Sequence, residues 1–160
     1  VEIIEKRVED AIGEIDNADV VVSFEVIEHL FDPELFVKHC RALLPAGGLL
    51  VLTCPNGLGF DVAMLGSRAL AVDAEHVNLF NPESLSRLLE RCGFTVLEAG
   101  TPGRLDAELV REIALKGEVK LDPFLRRVLI DEWTQLGWPF QQFLAAHKLS
   151  SHMWLVARRL

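Results

Sequence analysis

Four apolar segments, separated by stretches of mixed character, set the pattern of this chain. The segments 18–23 and 49–53 each hold at least three consecutive apolar residues. Such unbroken runs predict strands buried on both faces, as in a parallel sheet covered by helices. Apolar residues at 94–98 and 152–157 predict two further strands. The pattern therefore indicates an α/β fold.

Capping residues predict helices between these strands. Asp32 followed by Pro33 is typical of a helix start, because the carboxylate can accept a backbone N–H and proline suits the first helical position. Asn81 and Pro82 mark a second helix in the same way, and Gly93 ends it.

Three segments have looser patterns. Residues 105–147 are helical in pattern and too long for a simple link between strands, so they predict a helical insertion before the last strand. Residues 62–71 indicate a short helix. Apolar residues in 1–15 recur at helical spacing, which favours a helix, whereas 1–4 could form a short strand.

A polar cluster of Glu25, Glu28 and His29 follows the 18–23 strand directly. Open α/β sheets bind their ligands at the carboxyl ends of the strands. The cluster is therefore the first candidate site. The alternative for His29 is a structural role, in which it caps or packs at the junction of strand and helix.

Three segments, in this order, resemble the class I S-adenosylmethionine-dependent methyltransferases. They are ADVVVSFEVIEHL from residue 18, LLPAGGLLVLTCPN from residue 43 and EHVNLFNPESLSRLLERCGF from residue 75. The resemblance implies a Rossmann-like sheet of order 3-2-1-4-5-7-6, with strand 7 antiparallel. Strands 4 to 7 would be present here, and residues 1–4 would belong to strand 3.

The family's glycine-rich cofactor loop, which follows strand 1, is not found in these 160 residues. We therefore expect residues 1–160 to form a partial methyltransferase domain, truncated in its N-terminal half and inactive alone. The first residue, Val1, also argues against a native start.

The resemblance implies which residues would meet S-adenosylmethionine. Asp10 and Ala11 would lie beside the adenine. Ser23, Phe24 and Glu25 would line the methionine end. Asp10 could also be a solvated turn residue, since charged residues in turns commonly face water.

The candidate catalytic residue is His29. Methyl transfer from a sulfonium is an in-line displacement that depends mainly on positioning. A general base helps when the acceptor must lose a proton. The resemblance places His29 at the mouth of the site, so it is the candidate base.

The spacing of Glu25, Glu28 and His29 also admits a metal site, with His76 as a fourth ligand. This set resembles the metal site of the small-RNA 3′-terminal 2′-O-methyltransferases, and a similar set occurs in ubiquinone-pathway O-methyltransferases. The same residues are frequent in methyltransferases without metal. We therefore expect no metal.

The amino-acid composition limits which partners and which cellular compartment are expected. The net charge of −8 argues against nucleic acid, whose phosphates need clustered Lys and Arg. Three cysteines without C-x-x-C spacing suggest a reducing, cytoplasmic compartment without structural disulfides. No apolar run reaches the roughly 18 residues of a membrane span.

The function predicted is methyl transfer from S-adenosylmethionine to a small-molecule acceptor, such as a sugar or a metabolite hydroxyl or amine. One alternative is a non-catalytic relic or partner subunit of the same fold. Another is a metal-dependent RNA 2′-O-methyltransferase.

Assembly follows from the sheet order. Strand 4 of the family lies between strands 1 and 5, so without strand 1 the 18–23 strand has a bare edge. An apolar, uncharged edge recruits another chain or aggregates. We therefore expect a homodimer through residues 18–23.

The missing loop generates a first testable prediction. These 160 residues should bind S-adenosylhomocysteine more weakly than the low micromolar range, because the close backbone contacts of a glycine-rich loop have no substitute here. Calorimetric titration measures this affinity. A low micromolar dissociation constant would contradict the prediction.

Overall fold

The computed structural model describes residues 3–15 and 18–160 and contains a four-stranded mixed sheet. The strand order is β1-β2-β4-β3. β1 is parallel to β2, and β4 is antiparallel to both of its neighbours. This confirms the predicted order of strands 4, 5, 7 and 6 with an antiparallel strand 7. The strands are β1 Val20–Phe24, β2 Leu49–Pro55, β3 Phe94–Gly100 and β4 His152–Arg159.

Helices occupy most of the connections. The α-helices are α1 Val8–Ala11, α2 Pro33–Leu43, α3 Phe60–Leu65, α4 Pro82–Arg91, α5 Asp106–Leu115, α6 Pro123–Arg126 and α7 Trp133–Ala146. Short 3₁₀ turns cover Ile27–His29 and Gly66–Arg68, and a π-helical turn covers Arg127–Asp131. None of these helices is long and apolar enough to cross a membrane.

The two predicted helix starts are present. The Asp32 side chain accepts a hydrogen bond from the Leu35 amide at 2.9 Å, which satisfies one free donor at the start of α2. Asn81 and Ser84 form a reciprocal capping box at the start of α4. Both helices contribute to one apolar core with the sheet, in which Leu52 of β2 and Leu89 of α4 are fully buried.

The prediction that the first strand is buried on both faces was wrong. Val20, Val22 and Phe24 are 47%, 55% and 59% exposed. Val21 points to the opposite face and packs against the core. The core helices cover one face of β1, and no described residue buries the other. We call the surface formed by Val20, Val22 and Phe24 the open face.

The N-terminal segment contains a much shorter helix than its apolar spacing favours, and the strand considered for 1–4 falls partly outside the described residues. Described residues 3–7 form no strand, and the only helical residues of 3–15 are the single turn of α1, which packs against α2. Residues 1, 2, 16 and 17 lie outside the described part. A helix this short is marginal without an apolar surface to bury, and Ile3 is fully solvated.

A second apolar core forms mainly from the chain segment that follows β3 and precedes β4, which is the region predicted to be helical. Helices α3, α5 and α7 contribute to it with the π-helical turn, and Val110 and Leu129 are fully buried there. A buried amide joins this region to the sheet, because Asn56, just after β2, donates to the Ser150 carbonyl at 2.8 Å. The helices are therefore tied to the carboxyl end of β2.

Candidate functional site

A cavity of about 500 Å³ lies where β1 and β2 end and β4 begins. We call it the carboxyl-end cavity. Its wall comes from five parts of the chain, and the lining residues are Glu25, Pro55, Asp61, Leu70, Ala71, His76, Pro102, Gly103, Arg104, Leu105, Asp106, Leu109, Ser151 and His152. This volume lies in the range of small-molecule sites, which is roughly 300–1,000 Å³.

Glu25 follows β1 in a left-handed backbone conformation, with φ of 53°. Non-glycine residues rarely adopt this conformation, and it costs energy that the surrounding contacts must offset. The Glu25 amide donates to the Thr53 carbonyl at 3.0 Å, and the Thr53 hydroxyl donates to Glu25 Oε1 at 2.6 Å. His152 Nδ1 lies 3.6 Å from the same oxygen. The carboxylate is thus held over the end of β2, at the cavity.

Glu28 points the other way, into the protein. Its side chain is 1% exposed, and neither carboxylate oxygen has a hydrogen-bond partner among the described residues. Burial raises the pKa of Glu28, and the nearby Glu25 charge adds to this effect. An orphaned buried carboxylate is costly, so its presence marks a candidate functional group.

His29 is oriented by one hydrogen bond. Its Nδ1 lies 3.0 Å from the Glu75 carbonyl oxygen, which can only accept, so Nδ1 carries the proton. The other nitrogen, Nε2, therefore has a free lone pair when the ring is neutral, and it lies 3.8 Å from Glu28 Oε1. The His29 ring stacks on His76 with 4.7 Å between ring centroids.

The loop 69–81 places His76 beside Glu28 and His29. Asn78 fastens the loop, because its side chain donates to the Leu30 carbonyl at 2.7 Å and its amide donates to the Glu28 carbonyl at 3.0 Å. His76 Nδ1 lies 3.0 Å from Asp73 Oδ2. Sequence reasoning missed Asn78, because an asparagine in an irregular loop carries no periodic signal.

Three of the four possible metal ligands converge. One ligand atom from each of Glu28, His29 and His76 lies within 4.8 Å of the others. Glu25 does not join them, because Thr53 holds its carboxylate elsewhere. We call Glu28, His29 and His76 the histidine cluster.

The residues expected to hold the cofactor do not share one cavity. Ser23 lines a second cavity of about 430 Å³ between β1, α1 and α2, whereas Glu25 lines the carboxyl-end cavity. Phe24 lies on the open face. Asp10 pairs with Arg7 Nε at 3.1 Å, and Ala11 is buried. Their contact with S-adenosylmethionine stays a prediction.

Sequence reasoning also missed two acids in the cavity wall. Asp61 and Asp106 are each 3% exposed, and Ser151 bonds to both. They come from α3 and α5, far apart in the chain. No local motif marks either residue, so their proximity appears in the tertiary structure alone.

Comparison with known proteins decides the family. A family described as methyltransferase domain matches residues 5–99, which is more than half of the chain. The chain belongs to the class I S-adenosylmethionine-dependent methyltransferases. The expected resemblance is therefore confirmed, and with it the Rossmann-like fold class.

Two curated relatives illustrate the match. A probable S-adenosylmethionine-dependent methyltransferase of Mycolicibacterium smegmatis is 38% identical over 80 residues, which is 50% of this chain and 30% of that protein. A ubiquinone biosynthesis O-methyltransferase of Cereibacter sphaeroides is 38% identical over 61 residues, 37% of this chain and 25% of that protein. The match thus spans less than a third of either relative.

Solved structures support the same fold. A methyltransferase dependent on S-adenosylmethionine from Archaeoglobus fulgidus superposes with a TM-score of 0.58 at 16% identity, over 98% of this chain and 66% of that one. A possible histamine N-methyltransferase from Thermotoga maritima gives 0.54 at 15% identity, over 91% and 58% of the two chains. At such low identity the similarity shows the fold alone.

The orphaned carboxylate predicts a pH-dependent stability. Replacing Glu28 with Gln should stabilise the protein at pH 7 by about 1–3 kcal/mol, because the neutral amide of similar shape avoids the burial of an unpaired charge. The raised pKa of Glu28 sets the direction in which the free energy of unfolding changes with pH. Below the unfolded-state pKa, the carboxyl is protonated in both states and carries no charge penalty. Stability is lost as the pH rises through the folded-state pKa. The advantage of the variant should therefore shrink as the pH falls towards 4.

Urea unfolding at a series of pH values, in the presence of a chelator, measures this difference. Glu83→Gln on the exposed side of α4 is the control, since it removes the same charge from a solvated position. A stability difference for Glu28→Gln that does not vary with pH would show that the carboxyl is not the origin.

Proposed function

We propose that this protein transfers a methyl group from S-adenosylmethionine to a small molecule bound in the carboxyl-end cavity. The observation that carries the proposal is the cavity itself, which lies at the carboxyl edge of a methyltransferase sheet and has the volume of a metabolite site. Ser23, Phe24 and Glu25 lie at the end of β1, where the methionine end of the cofactor is expected. The acceptor then lies on the side of β2 and β4.

The helical insertion at 105–147 covers the acceptor in this proposal. Leu105 and Leu109 belong to it and line the cavity. Water exclusion by such a cover favours a displacement reaction, because it leaves no competing nucleophile near the sulfonium.

His29 is the proposed general base. Its Nδ1–H is engaged by the Glu75 carbonyl, so Nε2 can take a proton from the acceptor. His29 itself does not line the cavity, but its ring stacks on His76, which does.

Loss of the base should lower turnover. In the protein at its full natural length, His29→Ala should reduce methyl transfer by about 100-fold or more, as expected for general base catalysis. His39→Ala, on α2 and outside both the cavity lining and the histidine cluster, should leave it unchanged. The assay supplies S-adenosylmethionine with a deuterated methyl group and a small-molecule fraction of cell extract, and mass spectrometry detects the labelled product.

Three results would contradict this part of the proposal. Equal losses from His29→Ala and His39→Ala would remove the site assignment. A deuterated protein or nucleic acid, without any labelled small molecule, would show that the acceptor is a macromolecule. Absence of any methylated product in extracts of the source organism would favour the non-catalytic alternative.

A divalent cation held by the histidine cluster is the second candidate. The observation that favours it is Glu28, whose buried oxygens have no partner among the described residues. The His29 bond to a backbone carbonyl is the arrangement commonly seen behind metal-bound histidines. A metal at this position would bring two imidazoles and one carboxylate together without Glu25.

Manganese binding tests the second candidate. Electron paramagnetic resonance should detect Mn²⁺ bound to the chain, and Glu28→Gln or His76→Ala should weaken binding at least about 10-fold, as loss of a ligand requires. Glu83→Gln is the charge-matched control. Equal binding by all four proteins would leave the histidine cluster without a metal.

A homodimer through β1 is part of the proposal. The outer edge of β1 pairs with no strand of the described residues, and the open face beside it is apolar. Two copies that pair along this edge would join their sheets and bury Val22 and Phe24.

Light scattering at high concentration measures the assembly. The chain should be a dimer, and Val22→Lys should make it a monomer because a charge cannot be buried unpaired in the interface. Leu58→Lys introduces the same charge at another exposed apolar residue and should leave the dimer intact. A monomeric wild-type chain would contradict the proposal.

A cytoplasmic location completes the proposal. Cys40, Cys54 and Cys92 are buried and unpaired. Burial raises the pKa of the Cys40 thiol to about 12, so this thiol stays protonated and unreactive. Such cysteines support a reducing compartment.

A further inference from the structure

The two buried acids of the carboxyl-end cavity differ in how fully they are hydrogen-bonded. Ser151 connects them, because its amide donates to Asp106 Oδ1 at 2.5 Å and its hydroxyl donates to Asp61 Oδ1. Ser151 belongs to the segment that leads into β4, so the strand pairing places both acids at the cavity.

Asp106 is saturated by the protein. Besides Ser151, the Ser150 hydroxyl and the Gln141 amide both donate to Asp106 Oδ2. Burial alone would raise the pKa of Asp106, but the hydrogen bonds from Ser150, Ser151 and Gln141 outweigh it and hold the pKa below its usual value. Asp106 is therefore an ionised structural residue that fastens α5 and α7 to the start of β4.

Asp61 is only half satisfied. Its Oδ1 accepts from the Ser151 hydroxyl and from the Val62 amide at 2.6 Å, whereas Oδ2 has no hydrogen bond to any described residue. Burial raises the pKa of Asp61, and the charge of Asp106 contributes in the same direction. An oxygen without a protein partner, on a buried residue that lines a cavity, is positioned to bind a donor from a ligand.

The rest of the wall sets the kind of ligand. Apolar side chains dominate it, among them Pro55, Leu70 and Leu109. The charged and titratable groups are three carboxylates, Glu25, Asp61 and Asp106, against Arg104 and the imidazoles of His76 and His152. An anion would meet a net negative, weakly hydrated wall, and like charges in such surroundings repel strongly.

We infer that Asp61 anchors the acceptor, and that the acceptor is an apolar molecule carrying an ammonium or hydroxyl donor rather than a carboxylate or phosphate. This inference rests on the proposed function, since it names the class of molecule that the cavity takes. A protonated amine is favoured most, because its N–H donates a charge-assisted hydrogen bond to Asp61 Oδ2. The same charge balance disfavours an RNA acceptor, whose phosphates are anionic.

Three probes of nearly identical shape test the charge preference. Tyramine, tyrosol and 4-hydroxyphenylacetate share a hydroxyphenyl group and differ in an ammonium, hydroxyl or carboxylate at the end of the chain. Titration into the isotope-labelled chain, followed by nuclear magnetic resonance, should show tyramine binding at least about 5-fold more tightly than 4-hydroxyphenylacetate, with tyrosol between them. The shifts should centre on Asp61, Leu70 and Ser151.

Variants test which residue causes the preference for a positively charged probe. Asp61→Asn keeps the shape of the side chain and an oxygen for Ser151, and it should reduce the ratio between tyramine and 4-hydroxyphenylacetate to less than about 2-fold. Glu83→Gln removes one charge outside the cavity and should leave the ratio unchanged. Leu109→Trp fills the cavity and should abolish binding of all three probes.

Three outcomes would overturn the inference: equal or tighter binding of the carboxylate, an unchanged ratio in Asp61→Asn, or no binding of any probe. If Asp61→Asn fails to fold, as its spectrum would reveal, the wild-type ratio and Leu109→Trp still decide the matter. The titration contains no S-adenosylmethionine. Failure of methyl transfer with an intact amine preference would therefore refute the proposed function while the binding preference of the cavity remained.

Discussion

The wall of the carboxyl-end cavity depends on the antiparallel pairing of β4 between β2 and β3. The pairs run from Leu49 with Arg158 to Pro55 with His152, so the first residues of β4 arrive at the carboxyl end of β2. If β4 were parallel to β2, the last residues of β4 rather than its first would lie beside the carboxyl end of β2. Because β4 runs the other way, Ser151 and His152 enter the cavity wall from the helices that precede them.

The site is built from groups that cost stability. Glu28 is buried without a partner, Asp61 is half satisfied, and Glu25 holds a left-handed backbone. Each of these features is unfavourable alone, and the two apolar cores and the saturated Asp106 network offset them. Glu25 and Asp61 line one cavity and Glu28 lies beside His76 in its wall, as expected when a protein retains such groups for binding or catalysis.

The sheet is covered on one side. Leu50 and Leu52 lie in a core with α2 and α4, whereas the alternate residues of β1 form the open face. Strand alternation alone explains this division, because successive side chains point to opposite faces. No strand of the described residues pairs with the edge of β1 beside this open face, and the histidine cluster lies near the end of the same strand. Whatever covers the open face therefore approaches the site.

Local sequence determined the strands, the capped helices and the family, because apolar runs, capping residues and motif letters act over a few neighbouring residues. Asp32 and Asn81 needed no tertiary context to start their helices. The tertiary structure decided the rest. It exposed Val22, turned Glu25 away from Glu28, and brought Asp61 and Asp106 to Ser151 from distant segments. Those outcomes depend on which surfaces meet, and a side chain's neighbours in space are set by packing rather than by its neighbours in the chain.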